Sequence, residues 1–277
     1  MKILHFHRYL GAGGIEAMVC GLANEMAMTE DVTVCTIYKP NPDDVYYKRL
    51  SQKVRFESIG KVNDKTPIKE IFKIARMIRK GHFNLVHIHG FFYYYVVSIL
   101  LYHKKVRFFY TIHSDALMEN TPWDLRIIWL KRKFFQWGWI KPITISPISQ
   151  DSFKKLYGCE SRLICNGIPR PDYSYLKADA LRKYRISADT RLCIHVGRLS
   201  PEKNQVMLCR IVSRLISEGY DLALVIAGPC HRQDIYDGIM ELQSDRISYI
   251  GESADVLSLM ASADLMCLPS QYEGLPV

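Results

Sequence analysis

The chain of 277 residues contains no run of about eighteen apolar residues, so no segment has the length of a membrane-spanning helix. The nearest approach, "FFYYYVVSILLYH" from Phe91 to His103, is too short. Its first ten residues, "MKILHFHRYL", lack the apolar centre of a secretory leader. These absences favour a soluble or peripheral protein. None of the eight cysteines stands in a C-x-x-C pair, and several sit inside apolar runs. They read as reduced core thiols of a cytosolic protein, without a zinc or disulfide framework. The nucleophile elbow G-x-S-x-G, the Walker loop and H-E-x-x-H are also missing. Serine hydrolase, P-loop NTPase and zinc enzyme readings therefore lose support.

Acidic residues are scarce in one half only. Residues 1–165 carry 25 Lys and Arg against 14 Asp and Glu, whereas the remainder carries 12 against 14. A basic half beside a near-neutral one suggests an anionic partner, either a membrane surface or a phosphorylated substrate. No nucleic-acid partner is expected, because no helix-turn-helix, RNP or zinc-finger spacing accompanies the charge. The segment "WDLRIIWLKRKFFQWGWIK", Trp123 to Lys141, mixes tryptophans with cations as an interfacial amphipathic helix does. Its polar residues do not gather on one helical face, so a domain helix with a basic exposed side is the competing reading.

Short apolar runs alternate with longer segments of helical period. "KILHFH" precedes "GIEAMVCGLANEMA", in which Ile15, Met18, Val19, Leu22, Ala23 and Met26 share a face. "VTVCTIY", "NLVHIH", "VRFFYTIH", "PITIS" and "RLIC" follow, with helical segments between. This is the βαβ pattern of a parallel sheet covered on both faces. The alternation restarts with "RLCIHVGRL", "DLALVIAG", "RISYIG" and "DLMCLPS". The expectation is α/β, with two doubly wound Rossmann-like domains at 1–165 and 173–277 and a linker at 166–172. About seven strands fall in the first and four in the second, whose last strand lacks a following helix, so the second domain reads as incomplete.

Candidate site residues lie at strand ends. The first βα turn, "GAGGIEAM" from Gly11 to Met18, can bring backbone N–H groups to an anion at a helix N-terminus. Against G-x-G-x-x-G the third glycine is replaced by Glu16, so an NAD reading fails. His113 closes the strand "VRFFYTIHS", where ligands of open α/β sheets bind. His87 and His89 alternate along "NLVHIHG" and are expected on opposite faces, as structural histidines that do not share a metal. "HVGRLSPEKN" places Arg198 and Lys203 on one loop, where two cations can clamp a diphosphate. Gly228 and Gly251 mark further strand ends suited to backbone contacts with a base. In "PSQYEGLP", Glu273 and the following amides could grip sugar hydroxyls. A turn glycine, a solvated surface cation and a surface glutamate would each explain these residues taken singly.

Taken in order, "GGIE", "LVHIHG", "TIHS", "ITISPISQD", "LICNGI", "HVGRLSPEKN", "VIAGP", "YIGES" and "ADLMCLPSQYEGLPV" resemble the retaining glycosyltransferases of family 4. The resemblance spans nearly the whole chain and implies the GT-B fold, two Rossmann-like domains facing a cleft. Gly13 and Gly14 would approach the donor phosphate or the acceptor, and His113 would sit beside the donor sugar. Arg198 and Lys203 would neutralise the diphosphate leaving group. Glu273 with the amides of Gly274 and Leu275 would hold the sugar, and the backbone at Ile250 and Gly251 would meet the base. No metal and no cofactor are implied, the nucleotide-sugar being a substrate.

The implied activity is hexosyl or N-acetylhexosaminyl transfer with retention, from a nucleoside diphosphate sugar, with uridine diphosphate favoured, to a saccharide or lipid-linked acceptor. It would serve surface polysaccharide or glycolipid synthesis in the cytoplasm, with peripheral association at the inner face of the plasma membrane. The family pattern Glu-x7-Glu would place its second carboxylate eight residues past Glu273, beyond Val277. A C-terminally truncated chain that binds donor poorly is the corresponding expectation. The alternatives are a truncated, non-catalytic product that binds a membrane or a partner, and a GT-B-like sugar-nucleotide epimerase.

Overall fold

A computed structural model describes the chain except residues 12, 43, 63–66, 168–181, 185, 188, 231, 254, 255, 272 and 274–277, and the side chain of Ser258. The chain divides into two compact units, Met1–Ile168 and Pro169–Tyr272, with Glu273 grouped with the first. The expected linker at 166–172 straddles that division, and its residues 168–172 lie outside the described ones.

In the first unit, β1 (Lys2–His7), β2 (Asp31–Tyr38), β3 (Arg55–Lys61), β4 (Leu85–Ile88), β5 (Arg107–Ile112), β6 (Ile140–Thr144) and β7 (Arg162–Leu163) form one sheet in the order 3-2-1-4-5-6-7. All its pairings are parallel. Six consecutive residues of β2 are buried, which needs a sheet covered on both faces. One face packs on α1 (Gly14–Met26) through Met18, Val19 and Ala23. The other packs on α3 (Ile68–Gly81), α4 (Val96–Tyr102), α6 (Ile128–Gln136) and α7 (Pro147–Tyr157) through Ile74, Ile78, Ile99, Phe134, Phe135, Phe153 and Tyr157. The short α2 (Val45–Lys48) and α5 (Pro122–Arg126) complete the described α-helices of this unit, and Phe92–Tyr94 forms a 3-10 turn.

The helix starts follow local chemistry. Ser146 and Thr121 accept the N–H of the residue three further on, in reciprocal capping boxes, and each is followed by a proline that suits the first helical turn. The helix expected over Trp123–Lys141 is broken at Ile127 into α5 and α6. Lys131, Phe134 and Phe135 of α6 turn inward, whereas Trp129 and Trp137 are 64% and 54% exposed. Four cysteines are buried as expected, but Cys165 and Cys230 are exposed, so the reading of all eight as core residues is too broad.

The second unit has β8 (Arg191–Val196), β9 (Leu222–Ala227), β10 (Ile247–Tyr249) and β11 (Leu265–Met266), in the order 10-9-8-11 and again parallel. Helices α8 (Gln205–Ser217) and α9 (Gln233–Met240) cover one face through Leu208, Cys209, Val212, Ile235 and Ile239. Leu259 of α10 (Val256–Ser262) lies on the other, against Leu192, Ile194 and Val225. The expected seven and four strands are thus the numbers found among the described residues. No described helix is long and apolar enough to cross a membrane.

Candidate functional site

Each sheet has one point where successive connections leave in opposite directions: between β1 and β4 in the first unit, and between β8 and β11 in the second. Ligands of open α/β sheets bind outside the strand carboxyl ends at such points.

At the first switch point, β1 and β4 lie side by side with His5 paired to His87. His87 and His89 are not on opposite faces: their rings are 4.1 Å apart, centre to centre. Residues two apart on an extended chain point the same way, so the alternation argument assigned the wrong relation. The same period brings His5 and His7, His87 and His89, and Thr111 and His113 onto one column across three strand ends. His5 Nδ1 lies 3.3 Å from His89 Nε2, and His89 Nδ1 lies 3.1 Å from His113 Nε2. His87 Nε2 meets the Thr111 hydroxyl at 2.7 Å. His7 Nδ1 lies 3.0 Å from the His89 carbonyl, and its Nε2 is 3.1 Å from Glu16 Oε1.

Glu16 is itself buried on the first turn of α1, and its carboxylate lies over Gly13, where a Cβ would come within 2.2 Å of Oε2. Gly13 is extended (φ 177°), so this crowding, and not a special backbone angle, is what the glycine answers. Gly14 opens the helix. The carboxylate therefore occupies the space beside the Gly-rich turn where backbone donors were expected to meet an anion.

Burial sets the electrostatics. It pushes His5 down to about 4 and His113 to about 3, the latter with a further push from His7. His87 and His89 are held well below the ordinary histidine range by the same desolvation and by their neighbours. Behind His113, Glu119 Oε2 accepts the His113 backbone N–H at 2.6 Å, and burial raises this carboxyl to about 7. Lys131, fully buried, donates to Asn120 Oδ1 at 2.8 Å and to the Tyr110 hydroxyl at 3.2 Å, with its ammonium over the Tyr110 ring at 4.3 Å. Burial lowers its pKa, against the opposing charges of Asp124 and Glu119. Asn120 also donates to Tyr157 at 3.1 Å, so the loop carrying His113 is anchored to α6 and α7.

His5, His87 and His89 could each bring one ligand atom within 4.8 Å of the others, a spacing at which a metal ion can be considered. Both nitrogens of His89 are already engaged by other rings, and His87 Nε2 is engaged by Thr111, so the group is organised as a hydrogen-bonded stack.

In the second unit, three glycines gather at the carboxyl ends of β8, β9 and β10, on the side of β8 away from β11. Gly228 (φ 144°) follows β9 so closely upon Gly197 that a Cβ would stand 2.1 Å from the Gly197 carbonyl oxygen. Its N–H donates to the Gly251 carbonyl at 2.8 Å, and its own carbonyl accepts the Tyr249 hydroxyl at 2.7 Å. Ile250 donates its N–H to the Ile226 carbonyl, which sets Gly251 (φ 68°) at the turn out of β10. Lys203 runs its stem beside Gly197, with Cε 3.8 Å from where a Cβ would be. Arg198 is 60% exposed at its side chain and donates to Glu202 Oε1 at 3.0 Å.

The loop bearing these cations is fastened from beneath. His195, fully buried, lies 2.8 Å from the Cys267 carbonyl through Nδ1, which must therefore carry the proton, leaving Nε2 to accept from Gln205 at 3.3 Å. The same Gln205 amide donates to the Arg198 carbonyl at 2.7 Å. Asn204, left-handed at φ 55°, donates to the Pro269 carbonyl at 2.9 Å, and the Gln271 N–H reaches the Glu202 carbonyl at 2.8 Å. The 198–204 loop and the 267–271 segment are thus one body. Glu273, half-buried, follows that segment; Gly274 and Leu275 lie outside the described residues.

Gly197, Arg198, Lys203, Gly228, Ile250 and Gly251 therefore lie around adjoining strand ends of one sheet, while Gly13, Gly14 and His113 belong to strand ends of the other. Sequence reasoning passed over His5, His7, Glu119, Lys131, His195 and Gln205. A period-2 reading of "KILHFH" beside "LVHIHG" carries the signal for the first two. The others become visible only through tertiary contacts.

A glycosyltransferase relation follows from comparison with known proteins. EpsF of Bacillus subtilis (strain 168), provisionally designated a glycosyltransferase, is 25% identical over 295 residues, spanning 100% of this chain and 75% of EpsF. Anabaena HepE, solved with UDP and glucose, superposes with a TM-score of 0.72 at 19% identity, covering 98% of this chain and 74% of HepE. Sucrose-phosphate synthase from Thermosynechococcus elongatus gives 0.77 at 17% identity, covering 100% of this chain and 77% of the synthase. The fold is thus the Rossmann-like α/β architecture of GT-B glycosyltransferases. With the model described as Glycosyl transferases group 1 matching residues 177–277, and that of Glycosyltransferase Family 4 matching residues 12–170, more than half of its length, the chain belongs to Glycosyltransferase Family 4.

Proposed function

We propose that the protein transfers a hexosyl or N-acetylhexosaminyl group from a nucleoside diphosphate sugar, with uridine diphosphate the favoured nucleotide, to a saccharide or lipid-linked acceptor with retention of configuration. The observation that carries this reading is the convergence of Gly197, Gly228 and Gly251 beneath a loop bearing Arg198 and Lys203. Glycines that admit backbone contact suit a nucleotide, and two cations suit the charge that develops on a departing diphosphate. The HepE complex with UDP supports the choice of nucleotide.

In this reading Arg198 exchanges Glu202 for a phosphate oxygen as a planar fork, and Lys203 adds a point charge. Ile250 and Gly251 offer backbone groups to the base, and Glu273, with the amides of Gly274 and Leu275, grips sugar hydroxyls. Gly13, Gly14 and His113 serve the sugar or the acceptor. These cations stabilise the leaving group without calling on a metal ion. The basic first half, with Trp129 and Trp137 exposed, further suggests a peripheral site on an anionic membrane carrying a lipid-linked acceptor.

The test is nucleotide release from a panel of nucleoside diphosphate sugars with lipid-linked and saccharide acceptors. Arg198→Ala is expected to lower turnover by about 100-fold. No release from any donor, or an unaffected Arg198→Ala protein, would sink the reading.

A further inference from the structure

His5, His89 and His113 are buried and joined nitrogen to nitrogen in one chain, by contacts of 3.3 and 3.1 Å. The two ends of that chain, His5 Nε2 and His113 Nδ1, are buried and have no hydrogen-bond partner among the described residues. A contact between two imidazoles needs an N–H on one nitrogen and a lone pair on the other, and a neutral ring has one of each. Desolvation favours the neutral form of all three rings. Their tautomers are consequently locked together: either every ring carries its proton on Nε2, or every ring carries it on Nδ1.

The ends choose between these states. With protons on Nε2, an unsatisfied N–H is buried at His5, wholly inside the sheet. With protons on Nδ1, His5 ends in a lone pair, and the unsatisfied N–H falls at His113, which closes its strand at the carboxyl edge of the sheet and is 7% exposed against 0% for His5. An orphaned N–H in the interior is the less tolerated of the two. We propose that His5 and His89 are positioning residues that hold His113 as the Nδ1–H tautomer, presenting a hydrogen-bond donor to an oxygen of the bound sugar or phosphate. This rests on the transferase reading for the identity of the ligand, but the tautomer itself does not.

The full chain labelled with ¹⁵N at histidine would be read by long-range ¹H–¹⁵N correlation at neutral pH. His5, His89 and His113 are each expected to show a protonated Nδ1 and a bare Nε2, with His113 biased about tenfold or more toward that form. His89→Phe should let the Nε2–H form of His113 rise, whereas His89→Asn, whose amide can still donate toward His113 Nε2, should restore the bias. The proposal is overturned by a wild-type His113 that carries its proton on Nε2 or on both nitrogens, or by a transition metal bound at His5, His87 and His89. An unchanged His113 tautomer in folded His89→Phe protein would overturn it equally. If that variant does not fold, the wild-type spectrum decides alone. Titration with UDP-glucose separates the two readings: resonances that never move count against the transferase, and the chain of rings is still judged on the unliganded spectrum.

Discussion

Gly228 and Gly251 are both left-handed glycines at strand ends, yet their surroundings differ. A methyl at Gly228 would meet the Gly197 carbonyl, which is backbone and cannot swing aside, whereas none of the described residues lies within 4 Å of one at Gly251. Gly228→Ala is therefore expected to cost about 2–4 kcal/mol and Gly251→Ala about 1 kcal/mol, as urea midpoints would reveal. Lys131 gives a second contrast between sequence and environment. In the sequence it is one cation in "LKRKFF"; in the fold it is fully buried, bound to Asn120 and Tyr110. Lys131→Ala should destabilise by about 3 kcal/mol, because Asn120, Glu119 and Asp124 lose the charge they surround. Neighbouring Arg132 and Lys133 offer the sequence reader the same residue class, so the distinction could come only from which way the helix turns.

Among the elements, the carboxyl ends of β1, β4 and β5 carry a pH dependence that no single residue shows. His5 and His113 are lowered to about 4 and about 3, and His87 and His89 are lowered as well, from an ordinary 6.5. Between these values the unfolded chain binds more protons, so stability falls as pH drops below about 6.5. Glu119, raised from 4.5 to about 7, acts in the opposite sense: the folded state holds its proton, and stability falls as pH rises through that window. Four histidines outweigh one carboxyl. Urea midpoints should be lower at pH 5 than at pH 7, His113→Asn should flatten the difference, and Glu119→Gln should steepen it. The strands themselves were legible because apolar runs of four to eight residues between turn signals have few other folds available. Their shared histidine face was legible too, had the period of two been applied correctly to His87 and His89. The break at Ile127 was not, since Thr121 and Pro122 mark a start but nothing in "RIIW" marks an end.

For the whole molecule, the charge difference between the two halves has a measurable consequence. Vesicles containing anionic lipid should retain the protein at low salt and release it as the Debye length shortens, and Trp129→Ala with Trp137→Ala should weaken retention several-fold. Retention indifferent to both salt and lipid charge would remove the membrane proposal. The amino-acid sequence by itself determined the α/β class, the seven and four strands, the turn glycines and the ordered motifs of the family, because these depend on local period, backbone freedom and residue order. Tertiary structure alone decided that His5, His89 and His113 form one chain, that Glu16 covers Gly13 beside His7, and that His195 and Gln205 fasten the Arg198 loop. The physical reason is that each of these depends on strand register and burial. Parallel pairing brings residues about eighty positions apart to hydrogen-bond distance, and only an environment stripped of water turns such a contact into a fixed tautomer or a shifted charge.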